Sequence, residues 1–543
     1  MSAALPEVLK QAVLGHVPDP AAVLTAWEAA IGQDASRTAT LVAGPGLARG
    51  LRKAGHLEHA IELCRAAELA TPGPEIRATL VQVRLQTQLA LTGTVTPHEI
   101  QAAARGLMDA SDARLAKGQH AEATRLLHYA LELLLDRALH TETTTSPLQT
   151  GAAAWMSTVN TARITAWLAA AAPRRVPARR LRRVRRVLVV TRDGSNFLEQ
   201  VRDQATRAGI ELREIVLSSL SGERWQLPSG PQLPNVRVEA RLGRRPAVPA
   251  ALKDGYAWAD QVLVDWCDEA AVVVSATVPD DVELVVRLHS VEALSVPAHL
   301  VSWERVDRLV LVSTHIGTLL DEMVAGLFDV PRVVIPPAAS TGTTWTDVPG
   351  PQVSHVLALV GWAQPVKDPI WALEVLAELR AADPAWRLLL VGRDQFAEPS
   401  HRVGVAQYAK AFATRREQPD VAGAVDHLPW LDDVTELCRH ASAVLSSSIR
   451  ESFAIGLHEA VDGGLLPVVR RWPLVAPYGA PGETCDPAWV VDTPAEAARR
   501  VLQHWSDEQA RRSAWDWLTT ELSPRVLSCR YRTQLRWPLP RVR

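Results

Sequence analysis

The pattern of apolar positions changes twice along the chain. Residues 1–140 carry leucine and alanine at helical spacing with almost no β-branched runs, which predicts an all-α region. From Val187 onward, short β-branched runs alternate with helical segments, and a second such series follows a hinge rich in proline, glycine and threonine. Strands that alternate with helices favour parallel sheets, so the sequence predicts an α/β fold with two tandem Rossmann-like domains after the all-α region.

These changes of pattern divide the chain into five predicted segments. The all-α module covers residues 1–140, and a linker with one short helix and an arginine-rich run covers 141–186. The first Rossmann-like domain covers 187–340, the second covers 341–505, and a helical segment follows at 506–543. Because ligands of such sheets bind at the carboxyl ends of the strands, we expect a site in a cleft between the two domains.

Two stretches of the all-α region share one pattern. KAGHLEHAIELCRAAELATPG, from Lys53, and KGQHAEATRLLHYALEL, from Lys117, each place a glycine where a turn between helices is needed and alanines where helices pack closely. Both resemble the second half of a tetratricopeptide repeat, and a plain helical bundle is the alternative. Either arrangement predicts a module that binds a protein partner or a second copy of the chain.

Composition excludes some classes of protein. The net charge of -2 opposes a nucleic-acid-binding protein, whose affinity would depend on a basic surface. The five cysteines lack disulfide or ligand spacing, which predicts a reducing, cytoplasmic location. No stretch reaches the ~18 uninterrupted apolar residues of a membrane span. The arginine run from Arg174 to Arg186 leaves peripheral contact with anionic lipids open, with a solvated linker as the alternative.

The most specific chemical signal is the string SSSIRESFAIGLHEAVDGGLLPVV, in which a strand ends, a turn follows and a helix begins. Backbone amides at a helix N-terminus suit phosphate oxygens. Glu451 precedes the helix and can accept hydrogen bonds from sugar hydroxyls. Glu459 returns to the same helical face and can bind the hydroxyls of a ribose. Neither role needs a metal ion, so the sequence predicts no metal and no cofactor.

The substring ESFAIGLHEA, followed by GGLLPVV, resembles the E-x7-E motif of retaining GT-B glycosyltransferases, those of family 4 above all. That family has glycine where this chain has Ala454. The resemblance covers about residues 186–510 and implies metal-free transfer from a nucleotide sugar with retention of configuration. It also implies donor contacts from Ser452, Phe453, Ala454 and Glu459.

A second match to the family lies in LALVGWAQPVKDPIW. The family pattern G-R-x4-K-[GD] places an arginine and a lysine beside the leaving phosphates. This chain keeps Gly361 and Lys367, but Trp362 occupies the arginine position. The substitution implies weaker stabilisation of the diphosphate, replacement of the arginine by Arg393 or Arg450, or a degenerate site.

Further contacts are predicted on both domains. By resemblance, Gly392 and residues 428–431 border the nucleobase pocket, Arg393 lies on the donor side, and His289 is the cleft histidine that contacts the donor sugar. Strand ends in VVTRDGSN and VLVDWCDE supply expected acceptor-side residues, with helix capping as the alternative for the second string. These acceptor-side residues are Asp193, Gly194, Asn196 and Asp265.

The sequence therefore predicts a glycosyltransferase that moves a sugar from a nucleoside diphosphate to a glycan, lipid-linked or protein acceptor. Lys367 and the amides after Glu451 are expected to stabilise the departing diphosphate. Glu451 and His289 are expected to orient the sugar. Two alternatives stay open. One is a catalytically degenerate GT-B scaffold, which Trp362 favours, and the other is a sugar-nucleotide epimerase or a phosphorylase.

Overall fold

The computed structural model describes most of the chain. Apart from the side chains of residues 34, 35 and 347, the described residues are 5–71, 73–170, 184–194, 197–220, 225–327, 329–339, 344–348, 354–398, 400 and 402–538. They form two compact units. One contains the helical region up to His140 with Ala153–Ala170, and the other contains both β-sheets.

Ten α-helices precede the first strand in the described part of the chain. They are α1 Glu7–Val13, α2 Pro20–Ile31, α3 Asp34–Lys53, α4 Leu57–Ala70, α5 Pro74–Thr92, α6 Pro97–Leu115, α7 His120–Leu134, α8 Arg137–His140, α9 Ala152–Asn160 and α10 Arg163–Ala169. From α3 to α7, each helix packs on the next. A capping box starts α6: Glu99 N donates to Thr96 Oγ1 over 3.2 Å, and Thr96 N donates to the Glu99 carboxylate over 3.1 Å.

Glycines set the turns and one close approach in this unit. Gly55 and Gly118 lie in the turns after α3 and α6 with φ of 87° and 71°, as the sequence pattern requires. At Gly50, a Cβ atom would lie 1.7 Å from Ala12 O, so α1 and α3 approach closely only because the side chain is absent. The tetratricopeptide assignment stays a prediction.

The first sheet has six parallel strands in the order β2-β1-β3-β4-β5-β6. Its strands are β1 Arg186–Thr191, β2 Glu211–Val216, β3 Gln261–Asp265, β4 Glu283–Leu288, β5 Arg308–Leu311 and β6 Arg332–Val334. The accompanying helices are α11 Leu198–Ala208, α12 Leu233–Arg241, α13 Ala250–Trp258, α14 Glu269–Thr277 and α15 Thr314–Met323. Every residue of β3 and β4 is buried, as expected for central strands covered on both faces.

The second sheet also has six parallel strands, in the order β12-β11-β10-β7-β8-β9. Its strands are β7 Val356–Val360, β8 Arg387–Val391, β9 Val425–Leu428, β10 Ala443–Ser446, β11 Leu466–Arg470 and β12 Val490–Val491. Its helices are α16 Pro369–Ala382, α17 Val403–Arg416, α18 Ile455–Asp462, α19 Pro494–His504 and α20 Glu508–Glu521. The strand order places β7 and β10 side by side, so the loops that follow them meet at one edge.

The last described helix, α21 Pro524–Leu535, packs on the first sheet. Tyr531, Leu535 and Trp537 join the core formed by β1 and α11. Trp537 Nε1 donates a hydrogen bond of 3.0 Å to Gln261 Oε1 in β3. The chain therefore crosses between the two Rossmann-like domains twice.

The predicted fold class is confirmed: two parallel Rossmann-like sheets follow a helical region. Residues 174–183 of the predicted arginine-rich run lie outside the described residues. None of the described helices combines the length and the apolar character that crossing a bilayer requires.

Candidate functional site

Lys367 and Glu451 form an ion pair beyond the carboxyl ends of β7 and β10. Lys367 Nζ lies 2.5 Å from Glu451 Oε1, and the two side chains are 26% and 13% exposed. Ser448 Oγ donates to the same carboxylate oxygen over 2.7 Å. Two of the three predicted catalytic residues are thus brought into contact at an accessible position.

Backbone contacts fix the turn that carries Lys367 against the end of β10. Ile449 N donates to Val366 O over 2.9 Å. Ser447 Oγ donates to Lys367 O over 2.6 Å. Because both bonds end on carbonyl oxygens of the Lys367 turn, the backbone that carries Lys367 is held against the backbone that leads to Glu451.

Helix α18 begins at Ile455, four residues after Glu451. Its N-cap residue is Ala454, and no side chain caps the helix. Phe453 stacks on His458, with ring centroids 4.4 Å apart and planes 14° apart. His458 lies within hydrogen-bond distance of Ala454 O and Thr484 O, and burial lowers its pKa below the usual value. The stacking of Phe453 on His458 fixes the turn before α18. Because no side chain caps the N-terminus of α18, this helix end is suited to an anion.

Glu459 lies about one turn into α18 and is half-buried. Burial raises its pKa above the ordinary value, and the nearby carboxylates of Asp433 and Asp462 raise it further. Hydrogen-bond donors from a ligand would stabilise such a carboxylate, because they favour its charged form. This environment suits the predicted contact with ribose hydroxyls.

His315 is a residue of this site that the sequence did not indicate. It lies in the first turn of α15, in the first Rossmann-like domain, and its Nε2 donates to Glu451 O over 2.9 Å. Burial lowers its pKa below the usual value. The neighbouring Thr314 N donates to Glu483 Oε1 over 2.5 Å. Both contacts join the start of α15 to the second domain.

Arg450 makes a third contact between these domains. Its guanidinium is buried, and Nη1 donates to Ser290 Oγ over 3.1 Å. Burial lowers its pKa, while the charges of Glu451 and Glu292 oppose that shift. Arg450 therefore places positive charge near Glu451. Its replacement of the missing family arginine stays a prediction.

His289 lies in a buried cluster at the carboxyl ends of β3 and β4. Asp265 Oδ1 accepts hydrogen bonds from Arg287 Nε over 2.6 Å and from His289 Nε2 over 2.9 Å. The His289 ring also stacks on Trp266, with centroids 4.5 Å apart. The backbone amides of His289 and Ser290 donate to the two oxygens of Glu292, over 2.9 Å and 2.7 Å. Through Ser290, this cluster continues to Arg450 and Glu451.

The predicted acceptor-side residues that the structure describes lie at the carboxyl ends of the neighbouring strands β1 and β3. Asp265 has no exposed surface, and its oxygen binds Arg287 and His289, so this geometry does not favour direct acceptor contact. Asp193 is exposed. Its pKa is lowered mainly by a hydrogen bond from the Ser218 side chain and, to a smaller extent, by one from Arg192. Gly194 has a φ of 93° and donates from N to Thr191 Oγ1 over 3.1 Å. Asn196 lies outside the described residues.

Two predicted donor-side glycines meet at the ends of β7 and β8. Gly361 and Gly392 have φ of 67° and 116°, and a Cβ atom on Gly392 would lie 3.7 Å from Gly361 Cα. Arg393 is exposed and pairs with Glu398. Trp430, in the predicted nucleobase border, is 74% exposed.

Trp362 does not face the Lys367 site. Its side chain is 1% exposed and belongs to the core of the second domain. Its ring centroid lies 5.6 Å from that of Phe396 and 5.3 Å from that of Phe412. The family's arginine position has therefore become a core position in this chain.

Residues 350–516 match the family described as "Glycosyl transferases group 1", which is less than a third of the chain. This region, which contains Lys367, Glu451 and α18, supports sugar transfer as the activity. No curated protein sequence matches the chain.

Solved structures give weak similarity over larger parts of the chain. Anabaena Alr3699/HepE in complex with UDP and glucose is 14% identical, with 64% of this chain and 99% of that chain covered and a TM-score of 0.46. A Thermobaculum terrenum O-GlcNAc transferase mutant is 16% identical, with 98% and 97% covered and a TM-score of 0.45. OtsA without ligand is 11% identical, with 64% and 98% covered and a TM-score of 0.46. Similarity at this level identifies neither a donor nor an acceptor.

Proposed function

We propose that this chain transfers a sugar from a nucleoside diphosphate to a glycan, lipid-linked or protein acceptor. The main support is the contact of Lys367 with Glu451 directly before the uncapped N-terminus of α18, inside the matched region. A cation, a helix N-terminus without a side-chain cap and a carboxylate are the groups that suit a diphosphate joined to a sugar.

Charge develops on the diphosphate as the bond to the sugar breaks. Lys367 and the first amides of α18 stabilise that charge, which is where a fixed electrostatic site gives most of its effect. Lys367 must first exchange Glu451 for phosphate oxygens, which frees the Glu451 carboxylate to accept hydrogen bonds from sugar hydroxyls. Donor binding and sugar orientation are coupled through one ion pair.

His289 and Glu459 complete the donor site in this proposal. His289 orients the sugar from the first domain, with Asp265 holding its ring. Glu459 binds the ribose hydroxyls. Retention of configuration follows from the resemblance to family 4. Because the roles are those of positioning and electrostatic stabilisation, the transfer needs neither a metal ion nor a cofactor.

The helical unit serves as a tetratricopeptide-like docking module in this proposal. Its turn glycines at the ends of α3 and α6 and the successive packing of α3 to α7 support that reading. A protein partner or a second copy of the chain is its ligand. The five free cysteines, four of them buried, support a reducing cytoplasmic location.

Incubation with a panel of UDP-, GDP- and ADP-sugars tests the activity. Mass spectrometry should detect a free nucleoside diphosphate and, with glycan acceptors, a glycosylated product; NMR should show the donor's anomeric configuration retained. Added EDTA should not change the rate. A Glu459→Ala variant should lose most activity. Full activity in that variant, or dependence on a divalent cation, would contradict the proposed site.

Trp362 supports a second candidate, a degenerate scaffold, because it removes one cation from the usual set. Titration calorimetry with the same sugar nucleotides distinguishes the two functions: a scaffold should bind none tightly. An epimerase should convert the donor sugar without any acceptor, and the mass and NMR analysis would reveal this.

A further inference from the structure

Asp368, which follows Lys367, has a backbone conformation that its place in the sequence disfavours. Its φ of 44° and ψ of 60° lie in the left-handed region, which residues other than glycine seldom adopt. Pro369 follows, and a residue before proline favours extended backbone. A conformation disfavoured on both counts persists where surrounding contacts hold it, and such positions cluster at functional sites.

Two side chains hold the Asp368 carboxylate. Arg470, at the end of β11, donates from Nη1 to Oδ2 over 2.6 Å. Tyr408, on α17, donates from its hydroxyl to Oδ1 over 2.7 Å. Burial, then the neighbouring Asp368 charge, raises the pKa of Tyr408, so its hydroxyl remains a donor. The same hydroxyl accepts from Ile370 N over 3.1 Å, which ties in the start of α16.

Arg470 also reaches the other loop of the site. Its Nη1 donates to Ser447 O over 3.1 Å, and Ser447 Oγ donates to Lys367 O. The guanidinium carbon lies 5.1 Å from the ring centroid of Trp371. One arginine therefore holds both the residue after Lys367 and the strand end that binds the Lys367 carbonyl.

The Arg470–Asp368 pair differs from the ion pair beside it in sequence. Arg471 pairs with Asp492 at the same 2.6 Å, but those side chains are 50% and 57% exposed, against 17% and 13% for Arg470 and Asp368. Removing a charge pair from water is costly, and stability alone seldom accounts for it. Arg470 also neutralises a carboxylate that would otherwise repel an anion bound at Lys367.

We infer that Asp368, held by Arg470 and Tyr408, is a positioning residue that presents the Lys367 ammonium group to the diphosphate of a nucleotide ligand. The identity of that ligand rests on the proposed function. Asp368 and Arg470 act through Lys367 and make no contact with the ligand themselves.

Calorimetry on the full chain tests the phosphate-specific effect, with UDP and UMP and with GDP and GMP as probes. For the diphosphate that the wild type binds, Asp368→Asn and Arg470→Gln should each weaken affinity roughly tenfold, because Lys367 loses its place. Tyr408→Phe should weaken it less, and Arg470→Lys should recover part of the loss. Affinity for the monophosphate should change less than twofold.

Arg471→Gln is the matched control, because it breaks a neighbouring ion pair of the same length on the surface. It should leave diphosphate affinity unchanged. A double-mutant cycle then tests whether Asp368 acts through Lys367. In the Asp368→Asn background, Lys367→Ala should lower the diphosphate affinity only slightly further. Fully additive losses, or equal losses for monophosphate and diphosphate, would overturn the inference.

An NMR measurement on the ligand-free chain tests the position of Lys367 without depending on nucleotide binding. The chain has six lysines, so ¹³C-methylation of the lysine amines should give a resolved NMR signal for Lys367, assigned with Lys367→Arg. Asp368→Asn and Arg470→Gln should shift this signal, and Arg471→Gln should not. If the wild type binds neither UDP nor GDP, the proposed function fails. If the Lys367 signal does not move in Asp368→Asn, the positioning role fails.

Discussion

Arg450 Nη1 donates a hydrogen bond of 3.1 Å to Ser290 Oγ, which joins the second Rossmann-like domain to the first beside the Lys367–Glu451 pair. Ser290 follows His289, and Arg450 precedes Glu451. The bond therefore fixes the distance between two predicted catalytic residues that lie on different domains. The Arg450 side chain is buried, and among the described residues its Nε has no hydrogen-bond partner, which is costly. We therefore expect Arg450 to align the two domains.

Ser290→Ala should lower both stability and turnover. Removing the hydroxyl leaves the buried Arg450 guanidinium with one partner fewer, at a cost of about 1–3 kcal/mol in free energy of unfolding. Because the two domains lose a fixed contact, kcat should fall more than donor affinity. Urea unfolding and steady-state kinetics measure the two effects. Ser219→Ala removes an exposed hydroxyl and is the control. An unchanged kcat would contradict the alignment role.

Glu459→Gln should separate stability from ribose recognition. The pKa of Glu459 in the folded chain is raised above 4.5. Between pH 4.5 and this raised pKa, the folded chain keeps a proton that the unfolded chain releases. Stability is therefore lost as pH rises from 4.5 through the folded pKa, and the Gln variant escapes that loss. We expect the variant to be more stable than wild type at neutral pH and equal to it below pH 4.5.

The same variant should lose the preference for ribose. Wild type should bind UDP or GDP more tightly than the 2′-deoxy forms, whereas Glu459→Gln should bind both forms weakly. Calorimetry with the four ligands measures this difference. A preference for ribose that survives the substitution would exclude Glu459 as the ribose ligand.

Asp268→Asn should change the pH dependence of stability. Burial raises the folded pKa of Asp268 to about 7 from 3.8. Since the raised pKa belongs to a carboxylate, stability falls between these two values as pH rises, and the full penalty is present above pH 7. Asparagine keeps the cap at the start of α14, where Asp268 accepts from Ala270 N. The variant should gain about 1–3 kcal/mol at pH 8 and nothing at pH 3.8 or below.

Chemical unfolding at several pH values measures that difference. Asp19→Asn, which changes an exposed capping aspartate at the start of α2, is the control. A constant difference between Asp268→Asn and wild type from pH 4 to pH 8 would mean that Asp268 does not titrate in this window.

Gly50→Ala should loosen the packing of α1 on α3. Alanine is the better helix former by about 1 kcal/mol, but its Cβ would lie 1.7 Å from the Ala12 carbonyl oxygen, so the backbone must move. Hydrogen exchange of α1 should become faster. Gly106→Ala in α6 is the matched control, because its Cβ meets only Ala78 Cβ at 3.7 Å. Slower or unchanged exchange of α1 in Gly50→Ala would contradict the close approach.

The alternation of strands and helices was enough to predict both sheets. The family resemblance predicted Lys367 and Glu451 as residues of one donor site, but it did not predict their ion pair. The β-branched run of α14 could have been a strand, but Asp268 caps it as a helix. His315 could not be found from the sequence, because its contact is to a main-chain oxygen 136 residues away. The core position of Trp362 could not be found from the sequence either, because it depends on packing against Phe396 and Phe412 in later segments.

Lys367 is expected to stabilise the departing diphosphate. Its contribution is measured as kcat/KM for release of nucleoside diphosphate from the best sugar-nucleotide donor in wild type, Lys367→Ala and Lys410→Ala. Lys410 is an exposed lysine on α17. Loss of one group that stabilises transition-state charge should lower kcat/KM about 10²- to 10³-fold in Lys367→Ala. Lys410→Ala should remain at the wild-type value. A kcat/KM of Lys367→Ala within twofold of wild type would show that Lys367 does not stabilise the departing diphosphate.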